Sequence, residues 1–345
     1  MLYSRTTGEV IFPKDEYIEI SGLPFKMTKA MMVEASFYAQ NQASFKSASE
    51  MISKNMGVEM DSETVRKVAE YVGEKVYKSD VAEANEAYEN IANIRAPNDR
   101  KGTLYIMTDG ATVNTLEKDK EGSTWRENKL VLVFSDRDML QTKGGSNIIL
   151  KKEYAAHIGS VDEFKKHVFA VALRNGYGTF EKVVIIGDGA AWIRNMCNEL
   201  FPDAQQILDK YHLCENIYAC AKALFNNVTE YTEWADTIID MIEEGEVKDA
   251  LTLIQEQSDN NPAETTRLIG YIQNNIDKID YKRYEQQGWF IGSGAIESGN
   301  KIVLQRRLKQ PGMRWRVQYA QFMLTLRAKL ESNLWDSHVR DFICA

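Results

Sequence analysis

Apolar residues follow two different spacings along this chain, and the change between them divides the sequence. From residue 28 to about 76, and again from 211 to about 284, they recur every three or four positions, as on one face of a helix. Between 103 and 208 they form short unbroken runs, which are typical of strands buried on both faces. The pattern predicts an α/β protein in which helical regions flank a sheet-forming region.

Five strands and two helices are predicted in the sheet-forming region. The strands cover 103–108, 128–135, 147–156, 182–187 and 206–208, and the helices cover 161–175 and 190–200. Three strands followed by alternating helices and strands predict a mixed sheet whose middle positions belong to the first and fourth strands.

The first 100 residues are predicted to form an N-terminal helical region. An extended lead is broken at Gly22 and Pro24, and Pro97-Asn98-Asp99 marks a linker to the sheet. The chain from 211 to 285 is predicted as a helical insertion or separate lobe, with its one strong break at 260–262. The last part, 286–345, is predicted to contain a long helix, a break at Pro311-Gly312 and a helix over 314–333.

Two helices near the N-terminus have the outline of a helix-turn-helix. One helix ends near Met56, Gly57 supplies a turn, and Asp61 or Ser62 caps the next helix. One face of that next helix carries Val65, Val68, Ala69, Val72 and Val76. A pair of this kind can read DNA, but a plain supporting pair has the same outline. Its few cations (Arg66, Lys67 and Lys75) leave both interpretations open.

Three acidic residues stand in sharply drawn local contexts. Asp109 in YIMTDGA and Asp188 in VVIIGDGAAW follow apolar runs and precede glycine, as at the exit of a buried strand. Glu297 in WFIGSGAIES lies in the first turn of a helix. Each has a structural alternative, because an aspartate before glycine is common in turns and Glu297 could pair with Lys301. Their combination in strand–strand–helix order favours a functional site.

Three converging carboxylates would repel one another, at a cost of roughly 4 kcal/mol for a pair about 4 Å apart at an effective dielectric of 20. Divalent cations remove that repulsion. Carboxylates at strand ends are hard oxygen ligands, suited to Mg²⁺ or Mn²⁺ rather than to zinc. Two such ions about 3.5–4 Å apart form the clamp used in phosphodiester chemistry. Asp109, Asp188 and Glu297 are therefore predicted metal ligands of an enzyme that cuts and joins DNA.

Three further residues are predicted to assist this site. Asp209 and His212 in LDKYHL are three positions apart and share a helical face, so they can act as an auxiliary acid and a phosphate-positioning group. His212 has the alternative of a structural residue. Trp192 follows the second acid and is either a core residue or a platform for a base exposed near the cut.

The net charge of −8 by itself argues against a nucleic-acid partner. The distribution of the charges along the chain matters more than their sum. Acids dominate from 230 to 285, whereas the segment 301–329 has eight basic residues and no acid. We predict that this segment contacts DNA phosphates beside Glu297. The predicted contacts are Lys301, Arg306, Arg307, Lys309, Arg314 and Arg316.

Composition narrows the class of protein. A chain of 345 residues with 44% hydrophobic residues and six prolines is expected to form two or three compact units. It has no apolar run long enough for a membrane span, and its N-terminus lacks the plan of a signal peptide. Four cysteines without a C-x-x-C pair are expected to be reduced and mostly buried.

The motifs together resemble those of a known family. TDGA at 108–111, IIGDGAAWI at 185–193, LDKYHL at 208–213, GSGAIES at 292–298 and RRLKQPGMRW at 306–315 resemble DDE transposases of bacterial insertion sequences. The likeness is to the ISLre-type family within the mutator-like superfamily. With the N-terminal helices it spans nearly all of the chain, and the combination is specific although no single motif is.

This resemblance implies an RNase H-like core over 101–210 and 286–345, interrupted by the helical insertion. It implies that Asp109, Asp188 and Glu297 are the DDE triad, and that Asp209 and His212 match a recurrent accessory D-x-x-H element. It also implies action on terminal inverted repeats. Members of that family usually carry more sequence before the counterpart of residue 1, so part of an N-terminal DNA-binding region is expected to be missing.

The expected function is hydrolysis of a phosphodiester at the end of the element, followed by attack of the freed 3′-hydroxyl on target DNA. The partners are double-stranded element ends and target DNA, and cutting two ends predicts a homo-oligomer on DNA. The expected location is the cytoplasm, at the nucleoid. The alternatives are a catalytically silent, domesticated DNA-binding protein and another RNase H-like nuclease, such as a junction resolvase.

Overall fold

A computed structural model describes residues 2–3, 10–11, 20, 23–91, 101–143 and 147–345. Strands β1 (Leu2–Tyr3) and β2 (Val10–Ile11) form a short antiparallel pair. Three helices follow: α1 (Lys29–Asn41), α2 (Phe45–Met56) and α3 (Ser62–Glu89). The break predicted at Gly22 and the linker predicted at Pro97-Asn98-Asp99 lie outside the described residues.

The turn between α2 and α3 is built as the sequence predicts. Helix α2 ends at Gly57, and the Asp61 carboxylate accepts hydrogen bonds from the backbone N–H groups of Glu63 and Thr64, which begins α3. All five residues of the predicted apolar face are buried. Helix α3 packs against α1, α2 and two helices that follow in the chain, so its apolar face supports the protein core.

The main sheet is mixed, as predicted, and has five strands. They are β3 (Thr103–Asn114), β4 (Trp125–Ser135), β7 (Glu153–Ile158), β8 (Lys182–Gly187) and β9 (Gln205–Leu208). The order across the sheet is β7-β4-β3-β8-β9. Strand β4 is antiparallel to both β3 and β7, whereas β8 and β9 run parallel to β3. The first and fourth predicted strands are therefore neighbours near the middle of the sheet.

Two strand predictions need correction. Strand β3 does not end at Asp109 but continues to Asn114, because its pairing with β4 extends to Asn114 after its pairing with β8 has stopped at Met107. The strand predicted over 147–156 is two strands. Its first part, β6 (Asn147–Ile149), pairs with β5 (Met139–Gln141) outside the main sheet, and its second part is β7.

Helices cover both faces of the main sheet. On one face, α4 (Val161–Arg174) and α5 (Ala191–Leu200) pack on Leu104 and Ile106. On the other face, Tyr105 and Met107 belong to a larger core that includes the insertion and the C-terminal helices. Because successive strand residues point to opposite faces, β3 contributes alternately to the two cores.

The region from 210 to 286 is helical, as predicted, but has more breaks than the one at 260–262. It forms α6 (Lys210–Leu224), α7 (Val228–Glu243), α8 (Val247–Gln255), α9 (Pro262–Asn274) and α10 (Tyr281–Gln286). Asn227 and Asp280 cap α7 and α10 with their side chains, so two of the additional starts carry a local signal.

The C-terminal part begins with a helix that lies close to the sheet. Helix α11 (Gly294–Gly299) continues through a π-helical stretch (Asn300–Gln305) into α12 (Arg306–Leu308). A Cβ at Gly299 would lie 2.6 Å from a ring carbon of Tyr154, so glycine is required at this approach. After the predicted break at Pro311-Gly312 come α13 (Val317–Glu331), a π-helical turn and α14 (Asp341–Cys344).

All four cysteines are free thiols, and two of them (Cys197 and Cys220) are buried. Among the residues that the structure describes, no helix combines the length and apolar character needed to cross a membrane.

Candidate active site

Three acids follow the paired parts of three neighbouring parallel strands at the same edge of the sheet. Met107 of β3 pairs with Ile186 of β8, which pairs with Ile207 of β9. The residues two positions beyond these are Asp109, Asp188 and Asp209. Asp109 lies within β3 and, two positions from Met107, shares its face, which the insertion and the C-terminal helices cover. Asp188 and Asp209 directly follow the ends of β8 and β9. We call these three residues the aspartate row.

Asp109 is half-buried and hydrogen-bonded through both carboxylate oxygens. Oδ1 accepts from the N–H of Gly110 at 2.7 Å, and Oδ2 accepts from Nδ2 of Asn300 at 2.6 Å. Burial raises the pKa of Asp109, and the negative charge of Asp188 raises it further, against the opposing effects of these hydrogen bonds and of His212. The effect of Asp188 is the smallest of these, and it indicates that its carboxylate lies within electrostatic range of Asp109.

Asp188 lies in the turn that follows β8. Its Oδ1 accepts from the N–H of Ala190 at 2.9 Å, and its backbone carbonyl accepts from the hydroxyl of Tyr271 in α9 at 3.1 Å. Gly189 has φ +84°, and a Cβ there would lie 2.8 Å from Leu208, so only glycine fits the turn. The turn and the insertion together hold the backbone of Asp188.

Asp209 has a different environment from the other two aspartates, because it is 0% exposed. It caps α6 by accepting from the backbone N–H groups of Tyr211 and His212, each at 3.3 Å. It also accepts from the N–H and hydroxyl of Ser293 at 2.9 and 2.8 Å. Each carboxylate oxygen thus has two donors, so Asp209 joins the end of β9 to the turn before α11.

Glu297 lies in α11 beside the aspartate row. Its Oε1 is 3.0 Å from the Ser293 hydroxyl, which also contacts Asp209. That hydroxyl has one hydrogen and can donate to only one of the two carboxylates at a time. Among the described residues no ion pair joins Glu297 to Lys301, so the structural alternative for Glu297 is not formed.

Two residues connect the Glu297 helix to the row by hydrogen bonds. Ser293, at the start of α11, binds Asp209, and Asn300, three residues after Glu297, binds Asp109. Asn300 belongs to the π-helical stretch, a conformation found frequently at functional sites. Glu297 therefore lies between two residues, Ser293 and Asn300, that are hydrogen-bonded to the aspartate row.

The donor atoms suit a hard divalent cation. Asp109 and Asp188 provide carboxylates, and the buried Oδ1 of Asn300 has no hydrogen-bond partner within the described residues. Mg²⁺ is commonly held by one or two protein carboxylates together with waters and substrate phosphates. In the described part of the chain, no group of three or more His, Cys, Asp or Glu side chains lies close enough together to hold a metal ion. The residues fit a cation that two carboxylates hold and a phosphate completes.

His212 and Trp192 lie on opposite sides of the sheet. Nδ1 of His212 is 3.1 Å from Oε2 of Glu215, its Nε2 is 3.7 Å from Asp209, and its charge lowers the pKa of Asp109. Trp192 packs edge-on against Phe164, with ring centroids 5.9 Å apart, in the core beneath α4 and α5. This favours the core alternative for Trp192.

The predicted DNA contacts fall into two groups. Five of them are exposed and have no ion pair within the described residues: Lys301, Arg306, Lys309, Arg314 and Arg316. Arg307 is only 1% exposed and donates from Nε to the carbonyl of Ala39. Arg327 and Lys329 of the same basic segment are buried too. The basic surface is therefore smaller than the basic segment.

Three site residues were not found from the sequence. Asn300 and Ser293 lie three and four positions from Glu297, so helical spacing around that acid would have identified them. Tyr271 has no local signal, because only the packing of α9 brings it to Asp188.

Comparison with known proteins identifies the family. The family described as "Uncharacterised protein family (UPF0236)" matches residues 1–337. The chain belongs to UPF0236. It is similar to a UPF0236 protein of Caldanaerobacter subterraneus subsp. tengcongensis, with 23% identity over 340 residues. The match covers 94% of this chain but 63% of the relative, so the chain spans less than two thirds of that relative's length.

Among solved structures, this UPF0236 chain is similar to the Drosophila P element transposase strand transfer complex. The match covers 96% of this chain and 88% of that chain, with 10% identity and a TM-score of 0.25. A likeness at this TM-score supports no inference about fold or function.

Proposed function

We propose that this UPF0236 protein is a DDE transposase of the ISLre type, which cuts the DNA at its element's ends and joins the 3′-hydroxyl to target DNA. The observation that carries the proposal is the register of β3 and β8, whose last pair is Met107 and Ile186, so that Asp109 and Asp188 each follow that pair by two residues. The electrostatic coupling of these two acids and the nearby Glu297 helix support it.

We also propose that the main sheet is RNase H-like. The order and directions of its strands support this proposal. Three neighbouring antiparallel strands of the main sheet are followed in the chain by two strands parallel to the first, with Asp109 on the first strand and Asp188 directly after the fourth. On this proposal, 101–210 and 286–345 form one catalytic core, 211–285 is an insertion, and 1–100 contributes to DNA binding. The contact of Tyr271 with Asp188 supports a role for the insertion in shaping the site.

The residues of the site divide into ligands and positioning groups. Asp109, Asp188 and Glu297 are the proposed ligands of Mg²⁺ or Mn²⁺, and a pair of such ions would lower the pKa of the attacking hydroxyl and stabilise the leaving oxygen. Asn300 orients the Asp109 carboxylate. Asp209 and Ser293 anchor the first turn of α11, so they fix where Glu297 enters the site.

DNA binding is assigned to the exposed cations of the C-terminal part. Lys301 and Arg306 follow Glu297 on the same helical segment, so phosphates bound there lie beside the proposed site. Because such contacts release counterions, binding should weaken steeply with salt. Two element ends must be processed, which suggests a homo-oligomer on double-stranded DNA.

The decisive experiment is the variant Asp188→Asn, with Asp203→Asn as a control that changes the same chemical group at an exposed position. The substrate is a plasmid that carries the inverted repeats flanking the coding sequence, incubated with Mg²⁺. Asp188→Asn should bind this DNA as the wild type does and lose both cleavage and strand transfer. Asp203→Asn should retain both activities.

The other outcomes separate the alternatives. Full cleavage by Asp188→Asn removes this residue from the triad and overturns the proposal. Wild-type protein that binds the repeats without cutting them indicates a silent DNA-binding protein. Cleavage without joining of the 3′-end indicates a nuclease.

A further inference from the structure

A second cavity lies away from the aspartate row, between the N-terminal helices and the turn before α13. Its volume is about 320 Å³, within the range of roughly 300–1,000 Å³ that is usual for small-ligand sites. Its lining combines three aromatic rings (Phe45, Trp315 and Tyr319) with four arginines (Arg66, Arg307, Arg314 and Arg316) and one carboxylate, that of Glu70. We call it the arginine–aromatic pocket.

The floor of this pocket carries an uncompensated positive charge. The guanidinium carbon of Arg307 lies 4.5 Å from the ring centre of Phe45 and 5.0 Å from that of Trp315. Nη2 of Arg307 is buried and has no hydrogen-bond partner in the described residues, and no carboxylate pairs with this side chain there. Burial lowers the pKa of Arg307 to about 10, so it stays protonated at neutral pH. A buried cation without a partner favours an anion nearby.

The mouth of the pocket has two more cations without an ion pair in the described residues and the aromatic ring of Tyr319. Arg314 and Arg316 are exposed and form no ion pair within the described part of the chain. Arg66 lies over the ring of Tyr319 at 5.9 Å, and its charge is balanced by its pairs with Glu63 and Glu70. The net charge around the cavity is therefore positive.

A ligand that fits this lining has a flat apolar part and a negatively charged part. Nucleic-acid bases stack on aromatic rings and on guanidinium planes, and phosphates bind arginine. We propose that the arginine–aromatic pocket receives one nucleotide of a DNA strand, displaced from its stack, with the base against Tyr319 and its phosphate on Arg314 and Arg316. The choice of DNA as the source rests on the proposed function.

The position of the pocket relative to the aspartate row supports this choice. Trp315, which lines the pocket, forms a parallel β-bridge with Thr115, which directly follows β3. Asp109 lies six residues earlier along that strand, or about 20 Å at roughly 3.3 Å per residue. About six stacked nucleotides at 3.4 Å per step span the same distance. One DNA strand can therefore contact the pocket and Asp109 together.

The test uses a single-stranded oligonucleotide that contains 2-aminopurine, whose emission changes when its base stacks differently. Binding is followed in EDTA, so that no cleavage is needed. The wild type should give a saturable change in emission. Tyr319→Leu, which keeps an apolar side chain but loses the ring, should weaken that response about tenfold. Tyr319→Phe should preserve it, which separates the loss of stacking from a failure to fold.

A matched pair of double variants distinguishes binding in the pocket from non-specific electrostatic attraction between DNA and the protein surface. Arg314→Ala with Arg316→Ala and Arg306→Ala with Lys309→Ala each remove two exposed cations, but only the first pair lines the pocket. At one salt concentration, the first double variant should lose the emission change. The second should keep its full amplitude and show only weaker overall binding by anisotropy.

Three results would overturn the inference: no emission change with the wild type, a Tyr319→Leu protein that responds normally, or identical behaviour of the two double variants. Free dAMP that competes as well as the oligonucleotide would show a site for free nucleotides, which also overturns it. The Asp188→Asn experiment reads cleavage and this one reads base stacking without metal, so failure of one is distinguishable from failure of the other.

Discussion

The acids of the aspartate row were predicted as site residues from their separate local contexts, whereas the basic segment 301–329 was predicted from a run of like charge, and the structure treats the two sets differently. Strand register brings the ends of three strands together, and Asp109, Asp188 and Asp209 each follow a paired residue there by two positions. The eight cations of the basic segment are instead divided, with five exposed and three (Arg307, Arg327 and Lys329) buried in the core. Backbone pairing fixes the level of a residue on a strand, whereas packing decides whether a long cationic side chain reaches solvent.

The three aspartates of the row also differ from one another in burial. Asp209 is buried under four donors and anchors α11, whereas Asp109 and Asp188 are only half-buried and repel each other. Identical residues in register can therefore have opposite effects on stability. This difference can be measured.

The largest effect is expected for Arg327→Ala. Arg327 is 0% exposed and donates to Gln40, to the carbonyl of Ile302 and to Glu331. Removing it leaves these acceptors without their donor and opens a cavity, at a cost of about 3–5 kcal/mol in the free energy of unfolding. Urea denaturation measures this, with Arg306→Ala, an exposed cation of the same segment, as the control. Equal midpoints for the two variants would contradict the division of the segment.

A smaller effect is expected for Asp209→Asn. An amide cannot accept all four hydrogen bonds, and its NH₂ faces other donors, so unfolding should become easier by about 1.5–3 kcal/mol. The same substitution at Asp188 should leave the stability unchanged or raise it, because it relieves repulsion. If both variants lost equal stability in urea, the roles assigned within the row would be wrong.

The next prediction concerns pH. The raised pKa of Asp109 means that the folded protein binds this proton more tightly than the unfolded chain does. In EDTA, the contribution of Asp109 to wild-type stability should therefore fall as pH rises from the ordinary range of an aspartate through the raised pKa. The Asp109→Asn variant should lack this fall, so its free energy of unfolding should increase relative to that of the wild type as pH rises. The range pH 3–7 follows from the ordinary carboxyl pKa of about 4. Parallel stability curves of the two proteins across that range would contradict the raised pKa of Asp109.

The smallest effect on stability is expected for Arg306→Ala with Lys309→Ala. Both residues are exposed and unpaired within the described residues, so the free energy of unfolding should change by less than about 0.5 kcal/mol. DNA binding should weaken, and the slope of log K against log salt should become shallower by about 1.8, or 0.9 per lost phosphate contact. An unchanged slope would mean that these side chains face away from DNA.

Local patterns predicted the elements well where the signal lies within a few residues. The run 182–187 became β8 with the same bounds, and Asp61 caps α3 as expected. The end of β3 was wrong, because the pairing partner β4 carries the strand past its apolar part. The strand predicted over 147–156 was also wrong in its bounds, since its two halves pair with different partners.

The sequence by itself determined which residues follow buried strands, where helices are capped, and which acids stand at those places. These features depend on backbone preferences and on apolar spacing, which are local. Only the tertiary structure decided that Asp209 is an anchor, that Asn300 binds Asp109 and that Arg307 forms the floor of a pocket. Each of these depends on a contact between residues more than 80 positions apart, and such contacts exist only once the chain has packed.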